Sequence, residues 1–322
     1  MTFLALCMVV GGLLLLLFGG EILLRGAVSL ARCLGLSSLL IGMTVVAAAT
    51  SMPEMVVAVA SGLRGAPDIG VGNVIGSNIA NILLILGVAA LLYPMETRPH
   101  NVLRDGLAMI ASTALFIVFA VSGTLDRVDA TLMLALLIAY LAYSYRRDRK
   151  LNNKAEAAPA PEGIRLCASM PVSLLFVVGG VGVLVVGSKL LVDGAVDLAR
   201  AAGVSEAVIG LTLVAVGTSL PELATAVVAS FRRHPEVALG NVLGSNLFNI
   251  MAIIPALALT TPFTVTPELL DFDVWFMAGV TVVAFAAMVT GWRIGRGEAA
   301  AFLVAYALYI GLLFKNGHIP GA

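Results

Sequence analysis

Two glutamates stand in stretches that are otherwise apolar. Glu54 lies in GMTVVAAATSMPEMVVAVASG, Gly42 to Gly62, and Glu222 closes GLTLVAVGTSLPE, Gly210 to Glu222. A carboxylate inside an apolar run long enough to cross a bilayer is costly, on the order of 3 kcal/mol on insertion scales, and is a functional candidate by default. Hydroxyls accompany both. Thr50 and Ser51 precede Glu54 by four and three residues, and Thr218 and Ser219 precede Glu222 in the same way, which on a helix puts hydroxyls and carboxylate on one face. Pro53 and Pro221 carry no N–H for the carbonyls of Ala49 and Gly217, so main-chain oxygens beside the carboxylates are expected to be freed.

Further oxygens follow downstream. Ser77 with Asn81, and Ser245 with Asn249, repeat the i, i+4 spacing, among Gly72, Gly76, Gly240 and Gly244. The pooled donors are carboxylate, hydroxyl, amide and carbonyl oxygens. That set suits hard cations such as Ca²⁺ and Na⁺, whereas softer metals would want His or Cys. His100, His234 and His318 all fall near loops or termini. Each feature also has a plainer use. Ser77 and Ser245 can back-bond to the carbonyl four residues earlier, and the four glycines read first as packing positions. Arg25, Arg32 and Arg200 read as charges snorkelling from helix ends, and Lys189 with Asp193 as an i, i+4 ion pair.

The elements that must hold these residues follow from composition. Of 322 residues, 60% are hydrophobic and 12% charged, with mean hydropathy +1.04, too apolar for a water-facing surface. Separate apolar runs of helical length set the class as an all-α integral membrane protein, and alternating strands of a barrel are absent. About ten spans are expected, near 4–32, 38–62, 70–92, 102–121, 127–146, 170–199, 205–230, 238–259, 271–290 and 297–314. The hydrophilic stretch RRDRKLNNKAEAAPAPEGIR reads as an exposed linker, giving units 1–146 and 169–322 joined by 147–168. With that linker cytoplasmic, Arg32, Arg98, Arg104, Arg232, Arg233, Arg293 and Arg296 also fall inside, so both termini are expected outside. Nothing in the charge pattern suggests nucleic acid, and Cys7, Cys33 and Cys167 are too scattered for a metal or disulfide framework.

The two glutamates belong to an internal repeat. GLTLVAVGTSLPE matches GMTVVAAATSMPE at an offset of 222 − 54 = 168, and GNVLGSNLFN matches GNVIGSNIAN at the same offset, as does GAVDLAR with GAVSLAR. An odd number of spans precedes the linker, so the second copy enters the membrane in the opposite sense. Inverted repeats with interrupted helices in matching places point to a secondary transporter with its site at the midplane between them.

At these motifs the chain resembles the sodium/calcium exchanger family, prokaryotic branch, within the cation/calcium antiporter superfamily. The resemblance rests on TSMPE with GNVIGSNIAN and GTSLPE with GNVLGSNLFN, and the layout extends it across nearly the whole chain. It implies an electrogenic antiporter of the cytoplasmic membrane in which inward Na⁺ drives Ca²⁺ outward by alternating access. Its ligands map onto Glu54, Glu222, Thr50, Ser51, Thr218, Ser219, Ala47, Ala215, Ser77, Asn81, Ser245 and Asn249. Several relatives carry Asp at the position of Asn249; the Asn here argues against potassium dependence and leaves two carboxylates, enough for one Ca²⁺ or two Na⁺. A proton-driven Ca²⁺ exchanger is the competing reading, and a cation channel a third. No enzyme activity, cofactor or obligatory protein partner is expected; the partners are the two ions and the lipid bilayer.

Overall fold

The computed structural model describes residues 2–97, 99–152, 169–202 and 217–316. Among these, the helices are α1 Thr2–Leu34, α2 Ser38–Thr50, α3 Met52–Leu63, α4 Pro67–Leu92, α5 Pro99–Ser122, α6 Arg127–Asn152, α7 Met170–Ala201, α8 Leu220–Phe231, α9 Pro235–Thr260, α10 Leu269–Val289 and α11 Arg296–Asn316. Eight are long and apolar enough to cross a bilayer, and α2 with α3, bent by 43° at their junction, make a ninth span. The chain is therefore a multi-pass helical membrane protein. Of the span expected at 205–230, only the part from 217 on is described, and Ala215 lies outside the described residues. So does most of the linker, 153–168. Its start differs from the expectation: α6 runs to Asn152, past the boundary drawn at 146, with Arg149 and Lys150 in its last turn where the helix dipole favours cations.

The inversion is visible in how α1 meets its repeat partner α7. Gly12, Gly19 and Gly26 recur every seven residues on α1, and Gly180, Gly187 and Gly194 occupy the equivalent places on α7. Without side chains the two backbones nearly touch: a Cβ on Gly19 would lie 2.9 Å from the Leu184 nitrogen, on Gly26 2.7 Å from the Val177 nitrogen, and on Gly194 2.7 Å from the Ala5 carbonyl oxygen. As one residue number rises its neighbour's falls. The two helices are antiparallel, and since they occupy corresponding positions in the repeat, the halves are inverted.

Short strands close the ends of the bundle in a crossed pattern. β1 Met95–Glu96 pairs antiparallel with β4 Arg293–Ile294, and β2 Thr124–Leu125 with β3 Phe263–Thr264. Each loop of one half is thus held by the non-equivalent loop of the other, as a two-fold axis between halves requires. Each ribbon joins loops separated by an even number of crossings in the ten-span layout, so both partners emerge on one side of the membrane. Burial follows the same symmetry: 78% of the apolar window is buried in α4 and again in α9, against 22% in α6 and in α11. The central pair α4 and α9 carries the polar motifs, and α6 and α11 form the periphery.

Candidate cation-binding site

The TSMPE and TSLPE motifs each break a helix. Ser51 stands at the junction of α2 and α3 with φ −81° and ψ 7°, and Ser219 precedes α8 with φ −88° and ψ 5°, nearly the same departure from helical geometry. Pro53 and Pro221 then fall in the first turn of the following helix, where an N–H would lack an intrahelical partner anyway. Glu54 and Glu222 occupy that same first turn, where the positive end of the helix dipole favours a carboxylate. Proline and acid are tolerated together because both sit at a helix start, not in a helix interior.

The two breaks face each other and exchange hydrogen bonds. Ser51 Oγ donates to Glu222 Oε1 at 3.2 Å, and Ser219 Oγ donates to Glu54 Oε1 at the same distance. Both glutamates are 1% exposed. The threonines cross as well: Thr50 Oγ1 donates to Asn241 Oδ1 at 3.2 Å and to the Ala47 carbonyl at 3.4 Å, and Thr218 Oγ1 to Asn73 Oδ1 at 3.5 Å. Ser77 Oγ lies 3.2 Å from Ser219 Oγ, which joins α4 to the cluster and is a contact other than the back-bonding alternative. The Ala47 carbonyl also accepts the Ser51 N–H at 3.0 Å.

Asn81, Asn249 and Ser245 stand apart from this cluster, since among the described residues no hydrogen bond ties them to any of its members. Asn249 Nδ2 donates to Asn78 Oδ1 at 3.0 Å. Asn81 and Asn249 each open a π-helical stretch, Asn81–Leu86 and Asn249–Ile253, where the wider turn displaces the regular bonding of the helix. Glu54 Oε2, Glu222 Oε2, Asn81 Oδ1, Asn249 Oδ1 and Ser245 Oγ are buried and have no hydrogen-bond partner among the described residues. Orphaned buried oxygens are rare and expensive in proteins, and here they are the very atom types a hard cation accepts. Among the described residues no group of three His, Cys, Asp or Glu side chains could hold a metal, so charge comes from two carboxylates and the remainder of the set is neutral.

Two points correct the sequence reading. The carbonyl of Gly217, released by Pro221, is taken by the hydroxyl of Ser188 on α7 at 2.6 Å and so is not a bare oxygen beside Glu222. Asn73 and Asn241 were not singled out, although each lies four residues before Ser77 or Ser245 inside the repeated motif. The stripes 73, 77, 81 and 241, 245, 249 follow one helix face, which is the signal that would have found them. Gly240 and Gly244 are packing glycines that bring α9 against the α2 backbone at Leu39 and Met43, whereas Gly76, also expected to be one, has nothing within 4 Å of where a Cβ would stand.

A family model described as "Sodium/calcium exchanger protein" matches residues 4–146 and 172–315. The chain belongs to the sodium/calcium exchanger family. It is 33% identical to the sodium/calcium exchanger MaX1 of Methanosarcina acetivorans, over 94% of this chain and 96% of that protein. Inner membrane protein YrbG of Escherichia coli is likewise 33% identical, over 97% of each. Among solved structures, the sodium-calcium exchanger NCX_Mj, soaked with Na⁺ and Sr²⁺, superposes with a TM-score of 0.82 at 30% identity, over 97% of this chain and 99% of that one. These relatives span both halves of the repeat, and their lengths nearly equal that of the present chain.

Proposed function

We propose that this cation/Ca²⁺ antiporter exchanges Na⁺ for Ca²⁺, inward Na⁺ driving Ca²⁺ out across the cytoplasmic membrane. The observation that carries the reading is the crossed Ser51–Glu222 and Ser219–Glu54 pair, which gathers two carboxylates and neutral oxygens from opposite repeats at the interruption of both helices. The ion ligands are Glu54 and Glu222, assisted by Thr50, Ser51, Thr218, Ser219, Ser77, Asn81, Ser245 and Asn249 and by the carbonyls of Ala47 and Ala215. One Ca²⁺, or two Na⁺, is balanced by the two glutamates. Their serine bonds use one oxygen of each carboxylate and leave the other for the ion. Residues 1–146 and 169–322 form the two inverted units, with the linker cytoplasmic and both termini outside.

Neutral hydroxyl and amide oxygens around two carboxylates suit a monovalent metal ion as the counter-substrate. The proton-driven alternative draws on the same glutamates, whose unpartnered oxygens could accept protons instead. Purified protein in Ca²⁺-loaded proteoliposomes separates the two. An imposed Na⁺ gradient at constant pH is expected to drive Ca²⁺ flux, and a pH gradient without Na⁺ is not. Flux driven by the pH gradient alone would replace the sodium reading with the proton one.

A further inference from the structure

A groove of about 510 Å³ opens on the outside of the bundle between α1 and α8, lined by Leu14, Leu17, Phe18 and Glu21 on one wall and Val228, Phe231 and Arg232 on the other. The first set follows the i, i+3, i+4, i+7 face of a helix, and Arg25 continues it by one more turn. Both walls change character in the same direction, from apolar to charged. Leu14, Phe18 and Phe231 are more than half exposed, so the apolar part faces lipid and not a protein core. At the charged end Glu21 accepts from Arg25 Nε at 2.6 Å and from Arg232 Nε at 2.7 Å. Two guanidiniums thus share one carboxylate. Among the described residues their terminal nitrogens have no hydrogen-bond partner, and the side chains are 43% and 54% exposed.

The length of the gradient is informative. From Leu14 to Arg25 is eleven residues, about 16 Å of helix rise, close to half of a hydrocarbon core about 30 Å thick. An acyl chain laid along Leu14, Leu17, Phe18 and Phe231 would bring its phosphate to the level of Arg25 and Arg232. We propose that this groove binds an anionic phospholipid, its chain against the apolar wall and its phosphate on the free guanidinium nitrogens. The net positive charge of the Arg–Glu–Arg cluster selects an anionic over a zwitterionic headgroup. The equivalent face in the other half differs: Lys189 replaces Glu21, Asp193 replaces Arg25, and Gly182, Val185 and Val186 replace the bulkier wall. The site therefore belongs to one leaflet. It lies where α1 meets α8, ten residues along from Glu222, and is independent of which ion is coupled to Ca²⁺.

Native mass spectrometry of the full-length protein, delipidated and then exposed to phosphatidylglycerol or phosphatidylcholine, tests the assignment. The parent is expected to retain one phosphatidylglycerol in preference to phosphatidylcholine. Arg25→Gln with Arg232→Gln should weaken that retention by about twenty-five-fold, at about fivefold per basic residue, whereas Lys189→Gln leaves it unchanged. Equal retention in parent and double variant, equal loss in Lys189→Gln, or displacement by millimolar inorganic phosphate would each overturn the proposal. Phe18→Trp keeps the charged cluster intact and needs no disruption of the fold. Its fluorescence should be quenched more by phosphatidylglycerol brominated in the acyl chain than by the brominated phosphatidylcholine at equal mole fraction, beyond the signal of Trp275 and Trp292 in the parent; equal quenching also overturns the site.

Discussion

The two halves agree in the atoms that meet at the centre and differ in what supports those atoms. Ser51 and Ser219 make the same bond to the opposite glutamate at the same distance. One turn away the symmetry ends. Ser188 holds the Gly217 carbonyl, and its counterpart in the first half is Gly20, since 188 − 168 = 20, which offers no hydroxyl to the Ala49 carbonyl. The peripheral supports diverge further. Tyr140 donates to Asp105 at 2.7 Å and Tyr309 to Asp273 at 2.9 Å, a matched pair. Yet Asp105 is also paired with Arg104, while the residue equivalent to Arg104 is Phe272, stacked with Phe276 and, through it, on Tyr309. Asp148, on the same helix as Tyr140, accepts from the N–H and hydroxyl of Ser37 at 2.6 and 2.9 Å and so fixes the start of α2. The crossed carboxylate–hydroxyl bonds at the centre are the same in both halves, whereas a support has only to hold its helix, and each half does so by different means.

That contrast can be broken at its centre first. Glu54→Gln and Glu222→Gln should each lower Ca²⁺ flux in proteoliposomes by about a hundredfold or more, because either removes half of the charge facing a divalent ion while keeping shape. Near-normal flux in one of them would mean the halves are not equivalent where they meet. Flux of the parent should fall as pH drops, since the carboxylates hold Ca²⁺ only when ionised and protons compete for the same oxygens. Activity unchanged deep into the acid range would remove the glutamates from the ligand set.

The supports should respond unequally. Asp105→Ala strands Arg104, whose side chain is 7% exposed, and is expected to destabilise by about 3–5 kcal/mol. Asp273→Ala removes the acceptor of the Tyr309 hydroxyl, beside Phe272 where the first half has Arg104, and is expected to cost about 1–3 kcal/mol. Equal shifts in the detergent melting curves of the two variants would erase the difference drawn between these networks. Ser188→Ala should be milder, about 1–2 kcal/mol, because it leaves one carbonyl unbonded. No change in its melting curve would mean that water or a backbone N–H replaces the hydroxyl. The smallest effect is expected from Asn249→Asp, which adds a carboxylate near the other two and should move the pH of half-maximal flux upward by about one unit. An unaltered ion and pH dependence would place Asn249 outside the ion path.

The repeat, the interruptions at TSMPE and TSLPE and the partnership of α2 and α8 with α4 and α9 were all legible in the sequence, because each is written as residue types at fixed spacing. Ser188 was not. It lies 29 residues before the carbonyl it binds, inside an apolar helix with no local pattern to mark it, and only tertiary packing brings the two together. Asn73 and Asn241 carry no charge to set them apart in the motif; only their place on the 73, 77, 81 and 241, 245, 249 stripes marks them, and the threonine of the opposite half that each meets is visible only in the fold. The π-helical turns at Asn81 and Asn249 escaped for another reason, since a single wide turn leaves hydrophobic periodicity almost unchanged. The Lys189–Asp193 spacing suggested an ion pair that does not form; Lys189 is exposed and Glu21, at the equivalent place in α1, is the residue that pairs.

The antiparallel packing of α1 on α7 and the crossed strand ribbons have the form of an isologous interface, in which patch a meets patch b and b meets a. A half of this chain presents one carboxylate, one set of hydroxyls and one glycine seam, none of which is satisfied alone. Two copies of a single half, inserted in opposite directions, would regenerate every crossed contact at the centre. The chain thus has the internal symmetry of a homodimer, and because the two halves are one chain with two separate stretches of sequence, Ser188, Arg104 and Phe272 can each stand on one side only.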